Sequence, residues 1–313
     1  MTDIYQQIWN SDRHKLSVSH RDRQGKWLNP KAEILIDEQV AAFGRRDLDL
    51  ARSPLFARID ETKFQTIPSY ISFIKLLDNY RFDNQKSEIV TKLEQAEIEQ
   101  FIRDICQSDP MQLARAYISR ELNIKLSISE FERQLTSIWF DLYTNYFGNY
   151  AVKDASAFEH IFVGEGMYDR DDNSQDFISG YHSWIKFYLD ERDRRVNYLG
   201  HNYKLQGDIG TENPYVVTLQ MVLKDNLTQD KRQLFKKQGC FFVGTSPECE
   251  IAMGTVAYYE HLHLCDRKFI KDKRRTAING AVYDLVLYRN IEPDGSRGDR
   301  IRSFYPIYLG TNL

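Results

Sequence analysis

Between residues 30 and 150 apolar side chains recur at helical spacing with charged residues between them, the pattern of helices that bury one face. Residues 88–102 show it with aliphatic side chains, and residues 130–143 repeat it with aromatic ones. Asp109-Pro110 opens another helix, because Asp accepts bonds from the free amides of a first turn and Pro fits that turn. The pattern predicts a helical bundle. After residue 151 the texture changes, and strand-like runs appear at 158–163, 215–223, 239–243, 281–288 and 301–308. Two helices interrupt them. One covers 176–194, with an acidic start and a basic end that suit the helix dipole. The other begins at Ser246-Pro247-Glu248, where Ser caps, Pro takes the first helical position and Glu favours the positive end. Glu292-Pro293-Asp294-Gly295 is a strong turn that joins the last two strands in a hairpin. No internal repeat or low-complexity tract is present. The expected fold is α+β: a helical N-terminal lobe over residues 1–150, then an α+β lobe with antiparallel sheets over residues 151–313.

Composition sharpens this in three ways. Aromatic residues reach 13%, with 19 Tyr and 18 Phe, so aromatic rings must fill much of the core. No apolar run approaches the roughly 20 residues of a membrane span, and Met1-Thr2-Asp3-Ile4-Tyr5 lacks the basic start of a secretory signal. A protein without a membrane partner, in the cytoplasm, is the expectation. The four cysteines form no CxxC pair, which predicts free thiols in a reducing compartment. The net charge of −3 argues against tight non-specific binding of long nucleic acid and leaves room for a short basic cleft.

Candidate chemistry gathers at two of the seven histidines. Imidazole titrates near ~6.5, so two rings can take and give protons near neutrality without a metal or organic cofactor. On the predicted strand His160 alternates with Phe158 and Phe162, which sends Glu159 and Glu165 to the opposite face. His182 lies on the predicted helix in a stripe with Ile178, Ile185 and Leu189, beside a second stripe of Phe177, Tyr181, Trp184 and Tyr188. Such a helix is enclosed. His182 is then either a hydrogen-bonded core residue or a group presented to a cleft, and periodicity does not separate the two. His261-Leu262-His263-Leu264-Cys265 would put two histidines and a cysteine on one strand face, as a zinc site does. The same alternation marks an ordinary half-buried strand, and no further ligand cluster lies near it in sequence.

Three segments carry a resemblance. Phe158-Glu159-His160-Ile161-Phe162-Val163-Gly164-Glu165, then Gly180-Tyr181-His182-Ser183-Trp184, then Lys236 ahead of Gly239-Cys240-Phe241-Phe242-Val243-Gly244, resemble the EndoU (XendoU-type) uridylate-specific endoribonucleases. The coronavirus uridylate-specific endoribonucleases are their remoter relatives. The likeness runs from Ile8-Trp9-Asn10-Ser11-Asp12 through Ser53-Pro54-Leu55-Phe56 and Trp139-Phe140 to Ser303-Phe304-Tyr305-Pro306, nearly the whole chain. It implies His160 as general acid toward the leaving 5′-oxygen, His182 as general base on the ribose 2′-hydroxyl, and Lys236 as catalytic lysine. It implies Tyr305 as the ring that stacks on or orients the uridine, Ser303 as the hydroxyl beside it, and Glu159 and Glu165 as acidic neighbours of the first histidine.

These roles make chemical sense. Cleaving RNA with its own 2′-hydroxyl needs a base at the attacking oxygen and an acid at the departing one, worth roughly a hundred- to ten-thousand-fold in rate. A fixed ammonium stabilises the charge that builds on the phosphoryl oxygens. Ser303 and Tyr305, two apart on a predicted strand, face the same side. The implied substrate is single-stranded RNA and the implied product a 2′,3′-cyclic phosphate, which makes the enzyme a lyase. The scheme requires no cofactor; Mn²⁺, which some relatives need, would help bind RNA or order a loop. Cys240 stands where relatives can carry a serine thought to read uracil, and a thiol is a larger, weaker partner. A looser uridine preference, or one resting on Ser303 and backbone groups, is therefore expected. The basic run 267–275 is either a solvated turn or an edge that contacts RNA. The alternative to an enzyme is an inactive RNA-binding protein on the same fold, against which the joint presence of His160, His182, Lys236 and Tyr305 speaks.

Overall fold

Asp3 sets the first helix, α1 (Ile4–Ser11), by accepting from the Tyr5 amide at 3.0 Å. The computed structural model describes residues 3–22, 24–42, 44–145, 151–201, 215–225 and 232–311. Three short strands follow α1: β1 (Val18–His20), β2 (Ile34–Ile36) and β3 (Phe56–Ile59), which pair in that order. They correct the helical reading of residues 30–59. Ile34-Leu35-Ile36 is buried at all three positions, and a run that short shows no period. The helices proper are α2 (Thr62–Thr66), α3 (Pro68–Leu76), α4 (Lys92–Cys106), α5 (Asp109–Glu121) and α6 (Ile128–Phe140). Reciprocal capping boxes start α4 at Thr91 and Glu94 and start α6 at Ser127 and Glu130. Ser108 is the N-cap of α5, with Asp109 and Pro110 inside its first turn. Residues 146–150, the end of the region expected to be helical, lie outside the described residues.

Residues 158–163 are not a strand. Glu159–Val163 is a single π-helical turn, started by Ser156 and Glu159, which exchange hydrogen bonds between side chain and backbone at 3.2 and 3.3 Å. All five of its residues are buried, so aromatic and β-branched side chains line it all round and the alternation means nothing. Residues 176–194 are not one helix either. They comprise β5 (Phe177–Ser179), which pairs with β4 (Glu165–Met167), then a turn at Gly180 and Tyr181, then α7 (Trp184–Arg192). Gly180 and Tyr181 adopt φ of +63° and +65°, which breaks the helix, and the Ser183 hydroxyl starts α7 by accepting from the Lys186 amide. The expected acidic start, Asp176, thus lies just before a strand.

The remaining elements are β6 (Val196–His201), β7 (Val216–Lys224), β8 (Gln233–Phe242), α8 (Pro247–Lys268), β9 (Phe269–Ile270), β10 (Lys273–Ile278), β11 (Ala281–Ile291) and β12 (Arg297–Thr311). One sheet has the order β4-β5-β8-β7-β6 and another the order β12-β11-β10-β9. Both are antiparallel except between β5 and β8, so the α+β class stands. The hairpin between β11 and β12 forms at the expected turn, with Gly295 at φ +81°. α8 begins at Ser246 as expected, but it runs on through His261, His263 and Cys265, which the alternation had assigned to a strand. The last turns kink at Leu264.

The helical lobe and the sheets share one continuous apolar core. Phe73 of α3, Phe101 of α4 and Phe140 of α6 surround Phe158, with ring centroids 5.4, 5.9 and 5.0 Å away. Trp139 stacks on Phe162 at 5.8 Å. The buried Glu260 of α8 accepts from Tyr5 of α1, Tyr117 of α5 and Arg274 of β10, joining the lobes through a second, polar contact. All four cysteines are free thiols. Among the described residues no helix is long and apolar enough to cross a membrane. Phe158→Ala should lower stability by about 3–5 kcal/mol, read as a lower urea midpoint at unchanged slope; an unchanged midpoint would deny Phe158 its place in the core.

Candidate active site

The π-helical turn and the turn before α7 meet through their backbones. In an α-helix the Gly164 amide would bond to the His160 carbonyl; here it bonds to Glu159 O at 2.8 Å. That frees the His160 carbonyl to accept from the Tyr181 amide at 2.9 Å, while Ile161 O accepts from the His182 amide at 2.5 Å. Gly180 is required at this crossing. A Cβ there would lie 1.8 Å from the His160 carbonyl oxygen. Tyr181 pays for its left-handed backbone with a buried hydroxyl bond to Asp190 at 2.7 Å, and Lys186 donates to the same carboxylate at 2.9 Å.

The two imidazoles have different partners. Nδ1 of His160 lies 2.6 Å from Oε2 of Glu165, which corrects the strand-based reading that pointed this carboxylate away. With Nδ1 engaged by this carboxyl group, Nε2 is the nitrogen left to exchange a proton. Nδ1 of His182 lies 2.8 Å from the Cys240 carbonyl, an acceptor only, so this nitrogen carries the hydrogen and Nε2 keeps a lone pair. Burial, the Lys236 ammonium and His160 push the His182 ring well below the usual histidine range, against the opposing pull of the Cys240 carbonyl. It is therefore neutral at neutral pH.

Lys236 sits on β8 opposite Met221, beside an irregularity in the β7–β8 pairing. Its Nζ donates to the carbonyls of Gly180 at 2.5 Å and Ile178 at 3.4 Å. Burial pushes it down to about 8, with Cys240 and Glu165 opposing, so it is still mostly a cation at neutral pH. Tyr305 of β12 stacks on His182 with ring centroids 4.4 Å apart and planes 11° apart. Burial, followed by Cys240 and Tyr288, raises its hydroxyl above the usual tyrosine range. Burial pushes the Cys240 thiol up to about 12, with Lys236 opposing, so it stays neutral. Ser303 is buried on β12 two residues from Tyr305. Glu159 is buried and raised well above the carboxylate range, by burial first and then by Glu165 and Glu88. It caps its own turn and holds no bond to His160.

The fold thus brings His160, His182, Lys236, Cys240, Tyr305 and Glu165 together, with Ser303 alongside and Glu159 behind. The pattern missed Gly180, Tyr181 and Ser156. The spacing of Ser156 and Glu159 is a capping-box signal, and Gly180 inside a helical pattern is a breaker signal; both were there to find. His261 and Cys265 do not make a metal centre. His261 Nε2 lies 2.9 Å from Asp272 and 2.8 Å from the Arg297 guanidinium, which disfavours a cation. Among the described residues no group of three or more His, Cys, Asp or Glu is arranged to hold an ion. Much of the basic run is internal: Lys268 and Arg274 bind Glu260, and Arg275 pairs with Asp284. A cleft of about 640 Å³ beside Tyr80, Arg81 and Asp225 is lined by neither catalytic candidate histidine.

Known proteins resemble this chain along nearly its whole length. The family profile described as Endoribonuclease XendoU matches residues 1–306. The chain is 30% identical over 312 residues to a poly(U)-specific endoribonuclease-B of Xenopus laevis, covering 100% of this chain and 94% of the relative. It is 31% identical over 231 residues to a uridylate-specific endoribonuclease of Homo sapiens, covering 73% of this chain and 51% of the relative. The solved structure of XendoU, described as a splicing-independent snoRNA-processing endoribonuclease, superposes with a TM-score of 0.71 at 26% identity, over 99% of this chain and 96% of that one. Gly180→Ala should cut the rate of RNA cleavage by at least about a hundredfold, since small misplacements of reacting groups cost that much. Single-turnover assays on the folded variant check this, and an unimpaired rate would mean the backbone crossing does not position the histidines.

Proposed function

The chain belongs to the XendoU endoribonuclease family, and from that premise we propose that it cuts single-stranded RNA, preferentially at uridines, by attack of the 2′-hydroxyl on the adjacent phosphate. The observation that carries the assignment of roles is the unequal bonding of the two rings: His182 bonds to a carbonyl and His160 to a carboxylate. His182 Nε2 takes the 2′-hydroxyl proton as the oxygen attacks phosphorus. His160 Nε2 gives a proton to the departing 5′-oxygen, leaving a 2′,3′-cyclic phosphate. Lys236 faces the charge that builds on the non-bridging oxygens. The stack of Tyr305 on His182 supports a double duty, holding the base-accepting ring and presenting a surface to the uridine. The neutral Cys240 thiol is a weak reader of uracil, in keeping with a looser preference.

The proton transfers require only these side chains. The carboxylates nearest the histidines do not fit as an open ligand set for Mn²⁺, because Glu165 is engaged by His160 and Glu159 by the Ser156 backbone. A manganese effect, on this reading, acts on RNA binding, and cleavage persists in a chelator.

A short RNA with one uridine tests the mechanism. It should be cut at that position with a cyclic-phosphate end, whereas its 2′-deoxyuridine analogue stays intact; equal cutting of both would exclude 2′-hydroxyl attack. His160→Ala and His182→Ala should each slow cleavage by roughly a hundred- to ten-thousand-fold, and Cys240→Ser should raise the ratio of cutting at U to cutting at C. Binding without any cutting, with or without Mn²⁺, would support the inactive alternative instead. Two of the groups shape the pH profile in a definite direction. His182 is already neutral through the neutral range, and Lys236 must stay protonated, so loss of its proton should lower the rate above about pH 8. Lys236→Arg should shift or flatten that alkaline limb at the cost of some rate, leaving only the part set by the proton of the general acid; a limb that persists unchanged would assign none of it to Lys236.

A further inference from the structure

The four-stranded sheet has one face packed on α8; its other face is exposed at Tyr288 and toward β9 and β10, while Val286 and Ser303 on it are buried. On the packed side Arg274 reaches Glu260 of α8, and Leu285 and Leu287 are fully buried. On the other side the strand register lines up one cross-strand row. Tyr305 of β12 is opposite Val286 of β11, Val286 is opposite Lys273 of β10, and Lys273 is opposite Ile270 of β9. Residues directly opposite in antiparallel strands put their side chains on the same face. Tyr288 belongs to that face as well, opposite Ser303 and diagonal to Tyr305. Tyr288 is 40% exposed and Ile270 78% exposed. Arg275 lies on the same side but is tied to Asp284 at 2.9 Å, which confirms the direction of the face and leaves Lys273 as the cation nearest Tyr305 along the row.

We infer that the exposed part of this face, from Tyr305 across Tyr288 to Lys273 and Ile270, is a track for the nucleotides that flank the cleaved uridine. The inference rests on the endoribonuclease reading and extends it away from the reacting phosphate. An exposed ring beside a cation is the combination by which single-stranded nucleic acid is held without sequence preference, the ring stacking a base and the cation meeting a phosphate. The track adjoins the site through the cross-strand diagonal of Tyr288 and Tyr305. Strands spaced about 4.8 Å apart put β10 about 10 Å and β9 about 14 Å from β12, within reach of nucleotides next to one held at Tyr305. The chain carries net charge −3, so a local lane of this kind supplies the attraction that overall charge does not.

Fluorescence anisotropy on a non-cleavable RNA of about 12 nucleotides, with 2′-deoxyuridine at its single uridine, tests this without relying on catalysis. The double variant Lys273→Ala/Tyr288→Ala should bind about tenfold more weakly, and its plot of log affinity against log salt should be shallower by about 0.7. Tyr288→Phe should keep most of the lost affinity in a Lys273 background, since stacking needs the ring and not the hydroxyl. Lys92→Ala on α4 removes the same charge elsewhere and should bind as the wild type does. Melting temperature confirms that the variants fold. Affinity of the folded double variant within about twofold of wild type, or an equal loss in Lys92→Ala, would overturn the track. Cleavage of the all-ribose RNA by the unaltered chain is followed in parallel. Failure there would count against the enzymatic reading alone, because the anisotropy decides the track whether or not the RNA is cut.

Discussion

The hydrogen bonds from the Tyr181 and His182 amides to the carbonyls of His160 and Ile161 hold the site together, because they join two segments that carry one histidine each. They exist only because the turn at Glu159–Val163 is wound with i to i+5 bonding. An α-helical turn would consume the His160 carbonyl internally. The widened turn turns that carbonyl outward, and the left-handed Gly180-Tyr181 pair supplies amides to meet it. Each irregular feature makes sense only in the presence of the other.

Irregular backbone of this kind persists when its surroundings over-determine it. The aromatic cluster from α3, α4 and α6 clamps Phe158 and Phe162 on either side of His160, and Asp190 grips Tyr181 next to His182. The helical lobe thereby fixes the height and tilt of the His160 ring. The same enclosure sets the electrostatics. Burial lowers both His182 and Lys236, so the imidazole is neutral and the ammonium sits close to its titration point.

Much of the candidate site could be read from the sequence because its residues lie in local motifs in order. His160, His182, Lys236, Cys240 and Tyr305 were all identifiable by residue, and they come together. The capping of α8 by Ser246 and Pro247 and the turn at Gly295 were also legible, since caps and turns depend on a few adjacent residues. What could not be read were the conformations of the two segments that matter most. Residues 158–163 and 177–187 are buried on nearly every side, and periodicity reports secondary structure only where one face is wet and the other dry. At the end of α8 the cause was different: His261-Leu262-His263-Leu264-Cys265 alternates in residue type on a largely exposed helix end, and five residues are too few to show a helical period.

The sequence alone determined the cast of side chains, the α+β class and the family, because each of these is written in residue identity and order. It did not determine that Glu165 would meet His160, that the Cys240 carbonyl would choose the tautomer of His182, or that Tyr305 would stack on that ring. Those contacts join residues from five to more than a hundred positions apart. Their geometry depends on one widened helical turn and on the register of two sheets, and only the packed chain decides these, through bonds that no local segment can make by itself.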